Sequence, residues 1–170
     1  MKWSEMMKLK IRKMKKQDAL KISFWQYTEP YDWYNLNGSE ECVEEFLEDN
    51  YYTVLNQEEQ VIGFYCYGRS AQVSVGKVKG FYDDTTYTDI GLGMNPLLCG
   101  KGHGPNFVKL GMEHAKNKYG SQKFRLTVAD FNIRAIKTYE KVGFKEIGVF
   151  KNQSIRFKVM CYEEKKSYRS

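Results

Sequence analysis

The chain is short of the residues that usually hold a transition metal. Its two histidines are His103 and His114, and its four cysteines, Cys42, Cys66, Cys99 and Cys161, lie far apart. With no C-x-x-C pair and no histidine beside a cysteine, no zinc site is expected and the thiols read as reduced. The N-terminus carries no long apolar run, so neither a signal peptide nor a membrane span is expected, and the reading is cytoplasmic. Internal repeats, low-complexity segments and linkers are also missing. At 170 residues the chain reads as one domain over positions 1–170, long enough to bury a core without disulfides or metal. Acidic residues are in the minority, 21 against 27 Lys and Arg, which leaves a net charge of +6. That balance suits a polyanionic small molecule as well as nucleic acid.

Glycine, by contrast, is concentrated in one place. Residues 88–105 begin as a strand pattern, meet Pro96, and pass through Gly100, Gly102 and Gly104 at alternate positions. Helical periodicity follows at once, with Phe107, Leu110, Gly111 and His114 in one stripe. A glycine-rich loop opening a helix points several free backbone N–H groups and the positive end of the helix dipole at one spot. The implied ligand is an anion, a phosphate or pyrophosphate. The spacing Gly-x-Gly-x-Gly is neither the dinucleotide fingerprint nor a Walker loop, and both of those are absent.

In chain order, residues 8–14 alternate like an edge strand, and 16–25 form a helix with Asp18 as its N-cap. Residues 25–34 then hold five aromatic rings, Trp25, Tyr27, Tyr31, Trp33 and Tyr34, around Pro30. Such a cluster suits either a packed loop or a pocket wall. A short acidic helix is capped by Ser39, and residues 51–55 and 61–68 form a hairpin. Residues 71–84 read as an irregular stretch with some strand content. A strand over 86–95, a helix over 105–118, a strand over 124–129 and a helix over 132–142 ended by Gly143 come next. Strands at 145–151 and 155–162 close the fold, and the charged tail 163–170 is expected to fray. This order predicts an α/β fold, a mixed sheet with helices on both faces.

A second motif lies in the helix over 132–142, where Asn132, Ala135, Ile136 and Tyr139 share a face. A small Ala between a polar Asn and a Tyr leaves room for something. Together, the two stretches resemble the GNAT superfamily of acyl-CoA-dependent N-acyltransferases, as a bacterial-type single-domain member. Cys99-Gly100-Lys101-Gly102-His103-Gly104 fits its phosphate motif, with Cys99 where Arg or Gln is usual. Asn132-x-x-Ala135-x-x-x-Tyr139 followed by Gly143-Phe144 fits its second cofactor motif. The likeness is strong over residues 86–148 and weaker before them.

The resemblance implies a GNAT-like mixed, mostly antiparallel, twisted sheet of about 6–7 strands flanked by about four helices. It implies an N-acetyltransferase moving acetyl from acetyl-CoA to a primary amine by direct attack in a ternary complex. Cys99, Gly100, Lys101, Gly102, His103 and Gly104 would hold the pyrophosphate of coenzyme A. Leu92, Gly93 and Met94, on a splayed or bulged strand, would bond the pantetheine arm. Asn132 and Ala135 complete the cofactor site, and Tyr139 both binds there and serves the departing sulfur. Asp89, which sits where many relatives carry a carboxylate, is the candidate base, acting directly or through water; Thr127 stands where some relatives carry a Glu and cannot serve. By topology the acceptor pocket falls to Trp25, Tyr27, Tyr31, Trp33 and Tyr34, with Glu29 and Asp32 attracting a positive charge. A small-molecule or peptide amine is the expected partner of a monomer or homodimer, with no membrane partner. Two rivals stand beside this reading: a non-catalytic acyl-CoA-binding or regulatory module, and an RNA- or ribosome-associated protein. No basic-aromatic strand motif supports the second.

Overall fold

Seven strands form one open sheet in the computed structural model, which describes residues 2–48 and 50–165. They are β1 (Lys10–Lys13), β2 (Tyr51–Leu55), β3 (Val61–Tyr67), β4 (Thr88–Met94), β5 (Lys123–Ala129), β6 (Lys145–Asn152) and β7 (Ile155–Glu163), in the order β1-β2-β3-β4-β5-β7-β6. Every neighbouring pair is antiparallel except β4 with β5. Six helices accompany them among the described residues: α1 (Trp3–Met6), α2 (Lys16–Ser23), α3 (Glu40–Phe46), α4 (Ser74–Val78), α5 (Gly104–Tyr119) and α6 (Ile133–Val142). No helix among the described residues is long and apolar enough to cross a membrane.

The two-residue period of β3 builds both cores. Tyr65 and Tyr67 turn to the face covered by α5 and α6, where they meet Phe107, Leu110 and Ile136 in the main cluster. Phe64 and Cys66 turn the other way, onto Val43 and Phe46 of α3 and Ile22 of α2. The hydroxyls of Tyr65 and Tyr67 reach through the layer to the Phe107 and Gly111 carbonyls at 2.6 and 2.7 Å, which satisfies their buried donors. Gly111 is required for this approach, since a Cβ there would lie 2.5 Å from the Tyr65 ring.

Two expectations are corrected. Residues 71–84 hold helix α4 and no strand: Val73 and Val75 pack with Phe150 and Phe157, while Val78 is 88% exposed. Alternating valines thus follow a helical turn, because Gly76 lets that turn sit against the Phe150 ring. Asp18 is not the N-cap of α2. Lys15 is, and the Asp18 carboxylate reaches back to the Lys15 N–H (2.9 Å) while holding Arg12 and Thr53. Helix α1 has no apolar periodicity to announce it and is anchored by the buried Met6. Of the tail expected to fray, Glu163 belongs to β7 and Glu164 pairs with Lys116 at 2.7 Å, whereas residues 166–170 lie outside the described residues.

Candidate active site

The site begins where the sheet comes apart. Strands β4 and β5 pair only at Thr88 with Phe124 and at Asp89 with Arg125. At that last position Arg125 Nε and Nη2 clasp the two Asp89 oxygens at 2.7 and 2.8 Å, both side chains buried. Beyond the clasp the strands diverge. Pairing of β3 with β4 continues in register to Met94 without a shift, so the opening is a splay and no bulge occurs at Gly93. The Asn95 N–H donates to the Ile62 carbonyl at 2.8 Å, and this sets the phase of the antiparallel ladder. Gly91 and Gly93 therefore spend their backbone bonds on β3, while those of Leu92 and Met94 face the opening. Gly93 contributes by lacking a side chain, because a Cβ there would fall 2.3 Å from the Phe64 ring.

Past Met94 the chain makes a short 3₁₀ turn, Pro96–Leu98, held by the Asn95 side chain accepting from the Leu97 N–H. The Cys99 thiol then folds back toward the Asn95 and Met94 carbonyls, at 3.6 and 3.7 Å. Burial raises its pKa, with Arg134 opposing. Cys99 is thus a neutral tether at the loop entrance. Gly100 and Gly102 adopt φ of +73° and +81°, which other residues rarely take. Among the described residues nothing accepts from the N–H groups of Gly100, Lys101, Gly102 or Gly104. These donors lead into the N-terminus of α5, with Pro105 in its first turn. Gly104 lies under Thr138, 2.9 Å from where a Cβ would be, so α5 and α6 start close together.

Helix α6 is capped by Asn132, whose side-chain oxygen accepts from the Ala135 N–H at 3.1 Å. Its amide donates to the Tyr34 hydroxyl at 3.1 Å. Tyr139, one turn beyond Ala135, is buried, and its hydroxyl has no hydrogen-bond partner among the described residues. Burial, with the neighbouring Tyr34 adding, pushes this phenol well above the ordinary tyrosine range, so it stays a donor at any physiological pH.

Opposite α6 stands the aromatic segment, with Tyr31–Tyr34 as a 3₁₀ turn. The Tyr27 hydroxyl donates to the Met94 carbonyl at 2.8 Å, and Arg134 lies over the Tyr31 ring at 4.2 Å. Trp33 packs on Tyr34, Phe131 and Phe157 at the outside of this layer. A single cavity of about 640 Å³ joins strand opening, glycine loop, α6 and aromatic wall.

The sequence model of the Acetyltransferase (GNAT) family matches residues 11–144. The chain belongs to this family. GNAT proteins among solved structures share its fold. A GNAT-family acetyltransferase from Bacillus anthracis superposes with a TM-score of 0.68 at 14% identity, covering 92% of this chain and 95% of that one. The aminoglycoside acetyltransferase AAC(6')-Ib, solved with coenzyme A, gives 0.68 at 20% identity, with 91% and 94% covered. A spermidine N-acetyltransferase chimera from Vibrio cholerae and hSSAT gives 0.63 at 19%, with 92% and 95% covered. No curated protein sequence matches the chain.

In this GNAT chain the cavity gathers Leu92, Gly93, Met94, Cys99, Gly100, Gly102, His103, Gly104, Asn132, Ala135 and Tyr139 with Trp25, Tyr27, Tyr31 and Tyr34. Three expected site residues lie outside its lining. Lys101 points to solvent at the crest of the loop. Trp33 is 51% exposed and buttresses Tyr34 from outside. Asp89 lies apart from this cavity: it is clasped by Arg125, accepts from Gln72 Nε2 at 2.9 Å, and lines a second hollow at the paired end of β4. Thr127 is likewise occupied, sharing a 2.7 Å hydrogen bond with Tyr82. Glu29 and Asp32 do not line the cavity either. Sequence reasoning passed over Glu45, Phe46, Tyr51 and Phe64 on the side of the aromatic wall, and Arg134, Lys137 and Lys141 on α6. The last three were detectable as basic residues at i, i+3 and i+7 of the motif helix.

Proposed function

We propose that this acyltransferase moves the acetyl group of acetyl-CoA to a primary amine, both held in the one cavity. The observation that carries the reading is the junction, in that single cavity, of an unpaired strand edge, a loop of unbonded N–H groups and a free buried phenol. The donors at Gly100, Gly102 and Gly104, with the α5 N-terminus, suit a pyrophosphate. Arg134, Lys137 and Lys141 supply positive charge around it. The strand edge at Leu92 and Met94 offers the alternating N–H and C=O groups that amides of a pantetheine arm require. Met94 offers its N–H more than its carbonyl, which Tyr27 already holds.

Acetyl-CoA supplies a thioester, so acyl transfer forms an N–C bond, breaks the C–S bond and needs a proton at sulfur. Tyr139 would serve the sulfur as hydrogen-bond donor to the departing thiolate, a role that its protonated, buried phenol supports. The amine's own proton has no carboxylate at the clasped end of β4 to receive it, because Asp89 is committed to Arg125. It leaves to water through the open side of the cavity. The four free cysteines suit a reducing compartment, and the proposed setting is the cytoplasm, as monomer or homodimer.

Thermal stability with acetyl-CoA tests the reading. A ligand at a hundred times its Kd adds about 2.7 kcal/mol, or roughly 5–10 °C in Tm for a chain of this size. No shift at millimolar acetyl-CoA would end the proposal, as would the absence of thiol release across a broad amine panel.

A further inference from the structure

We propose that the acceptor taken by this cavity is a small apolar amine with one positive charge, an arylalkylamine or branched alkylamine. The inference rests on the acetyl-transfer reading above and adds the substrate class.

Charge decides against a polycation. Among the described residues lining the cavity, Glu45 of α3 is the only carboxylate. It stands at the acceptor end beside Tyr51, whose phenol is raised by burial first and by the Glu45 charge among lesser causes. The remaining fixed charges of the lining are cations: Arg134, Lys137 and Lys141 on α6. These cations are matched by the phosphates of the bound cofactor, so a triamine or an aminoglycoside would find only one counter-charge for three or more ammonium groups. A monoamine is fully answered by Glu45.

Surface chemistry points the same way. The acceptor end is made of the rings of Trp25, Tyr31, Phe46, Tyr51 and Phe64 with the side chains of Ile22 and Leu36. Of the tyrosines nearest the strand opening, Tyr27 gives its hydroxyl to the Met94 carbonyl and Tyr34 accepts from Asn132. Tyr27 has thus spent its donor, whereas Tyr34 keeps its own O–H. A wall so built offers few partners to a hydroxyl-rich sugar for the hydration it would lose. It favours a hydrocarbon body, and the ring faces also attract the ammonium.

The test is initial-rate thiol release with phenethylamine, isoamylamine, spermidine, kanamycin and an apolar tripeptide, each with acetyl-CoA. The apolar monoamines should show kcat/KM at least tenfold above the other three. Glu45→Gln should raise the monoamine KM roughly three- to tenfold and leave the acetyl-CoA KM unchanged. Cys42→Asp places a second carboxylate in the lining, on a half-exposed position of the first turn of α3 that suits an acid. It should raise spermidine turnover relative to phenethylamine. Preference of the unmodified protein for spermidine, kanamycin or the peptide overturns the proposal, as does stabilisation by acetyl-CoA with no monoamine turnover. Absence of acetyl-CoA stabilisation overturns the acetyl-transfer reading itself, and this inference with it.

Discussion

Replacing Asp89 with Asn separates a structural carboxylate from a catalytic one. Asp89 and Arg125 are 3–4% exposed at their side chains, are register partners, and form two parallel bonds at 2.7 and 2.8 Å. Two unit charges about 4 Å apart attract by about 4 kcal/mol at an effective dielectric near 20. Asn keeps the shape and one accepting oxygen but removes the counter-charge, leaving a buried guanidinium with neutral partners such as the Asp84 and Tyr82 carbonyls, at 3.1 and 3.4 Å. Breaking a buried pair in this way costs about 3–5 kcal/mol. At roughly 2–4 °C per kcal/mol for a chain of this length, Tm should fall by about 10 °C. Arg125→Met in the same chain removes the stranded cation, so the double variant should recover part of the loss. The assay is thermal and urea unfolding of the four proteins of the cycle, with kcat measured per folded molecule below the transition. The folded Asp89→Asn protein should keep kcat within a few-fold. A variant of unchanged Tm with kcat reduced a hundredfold would refute the reasoning and return Asp89 to the role of base.

Three further outcomes follow from the same structure. Tyr139→Phe should lower kcat by about tenfold to a hundredfold with Tm and the acetyl-CoA KM nearly unchanged, since the hydroxyl has no partner among the described residues; steady-state kinetics beside a melt checks this. Gly63→Ala should destabilise by about 3 kcal/mol or more, because its Cβ would meet the Gly93 carbonyl oxygen and the Phe107 ring at 2.5 Å, and relief would pry β3 from β4 or lift α5 off the sheet; urea unfolding measures it. Burial raises the phenols of Tyr51, Tyr65, Tyr67 and Tyr139, so the folded state resists their ionisation while the unfolded chain titrates near pH 10. Stability from these groups is therefore intact below about pH 10 and lost as pH rises above it, which a series of melts from pH 8 to 12 should show.

The glycine loop and the helix that follows it in the fold were legible because their geometry is local. Glycines at alternate positions before a helix, and Asn132, Ala135 and Tyr139 at helical spacing, can be found by spacing alone. The hairpin of β2 and β3, and the Ser39 and Gly143 caps, were readable for the same reason. What the sequence concealed depends on long-range partners. Asp89 looked catalytic from its place at the start of a strand, and only the register with Arg125, 36 positions later, shows that its charge is spent. Glu45 looked like one of several acids on a solvated helix, and only the fold turns it toward the aromatic wall. Trp33 could not be told from Trp25 by composition, yet one braces the wall and the other faces the cavity. The helix over 74–78 was hidden because valines at positions 73 and 75 serve a short helical turn as readily as a strand.

The bond from Asn132 to Tyr34 ties the two substrates' territories into one mechanical unit. Asn132 uses its oxygen to start α6 and its amide to hold the loop that carries the aromatic wall. A guest that settles the Tyr34 ring therefore also settles the first turn of α6, from which Ala135, Tyr139 and the basic ridge project. By reciprocity, occupation of the α6 face must steady the wall to the same extent. Coupling between the proposed donor and acceptor sites would need no domain movement, since one amide side chain is bonded at both ends.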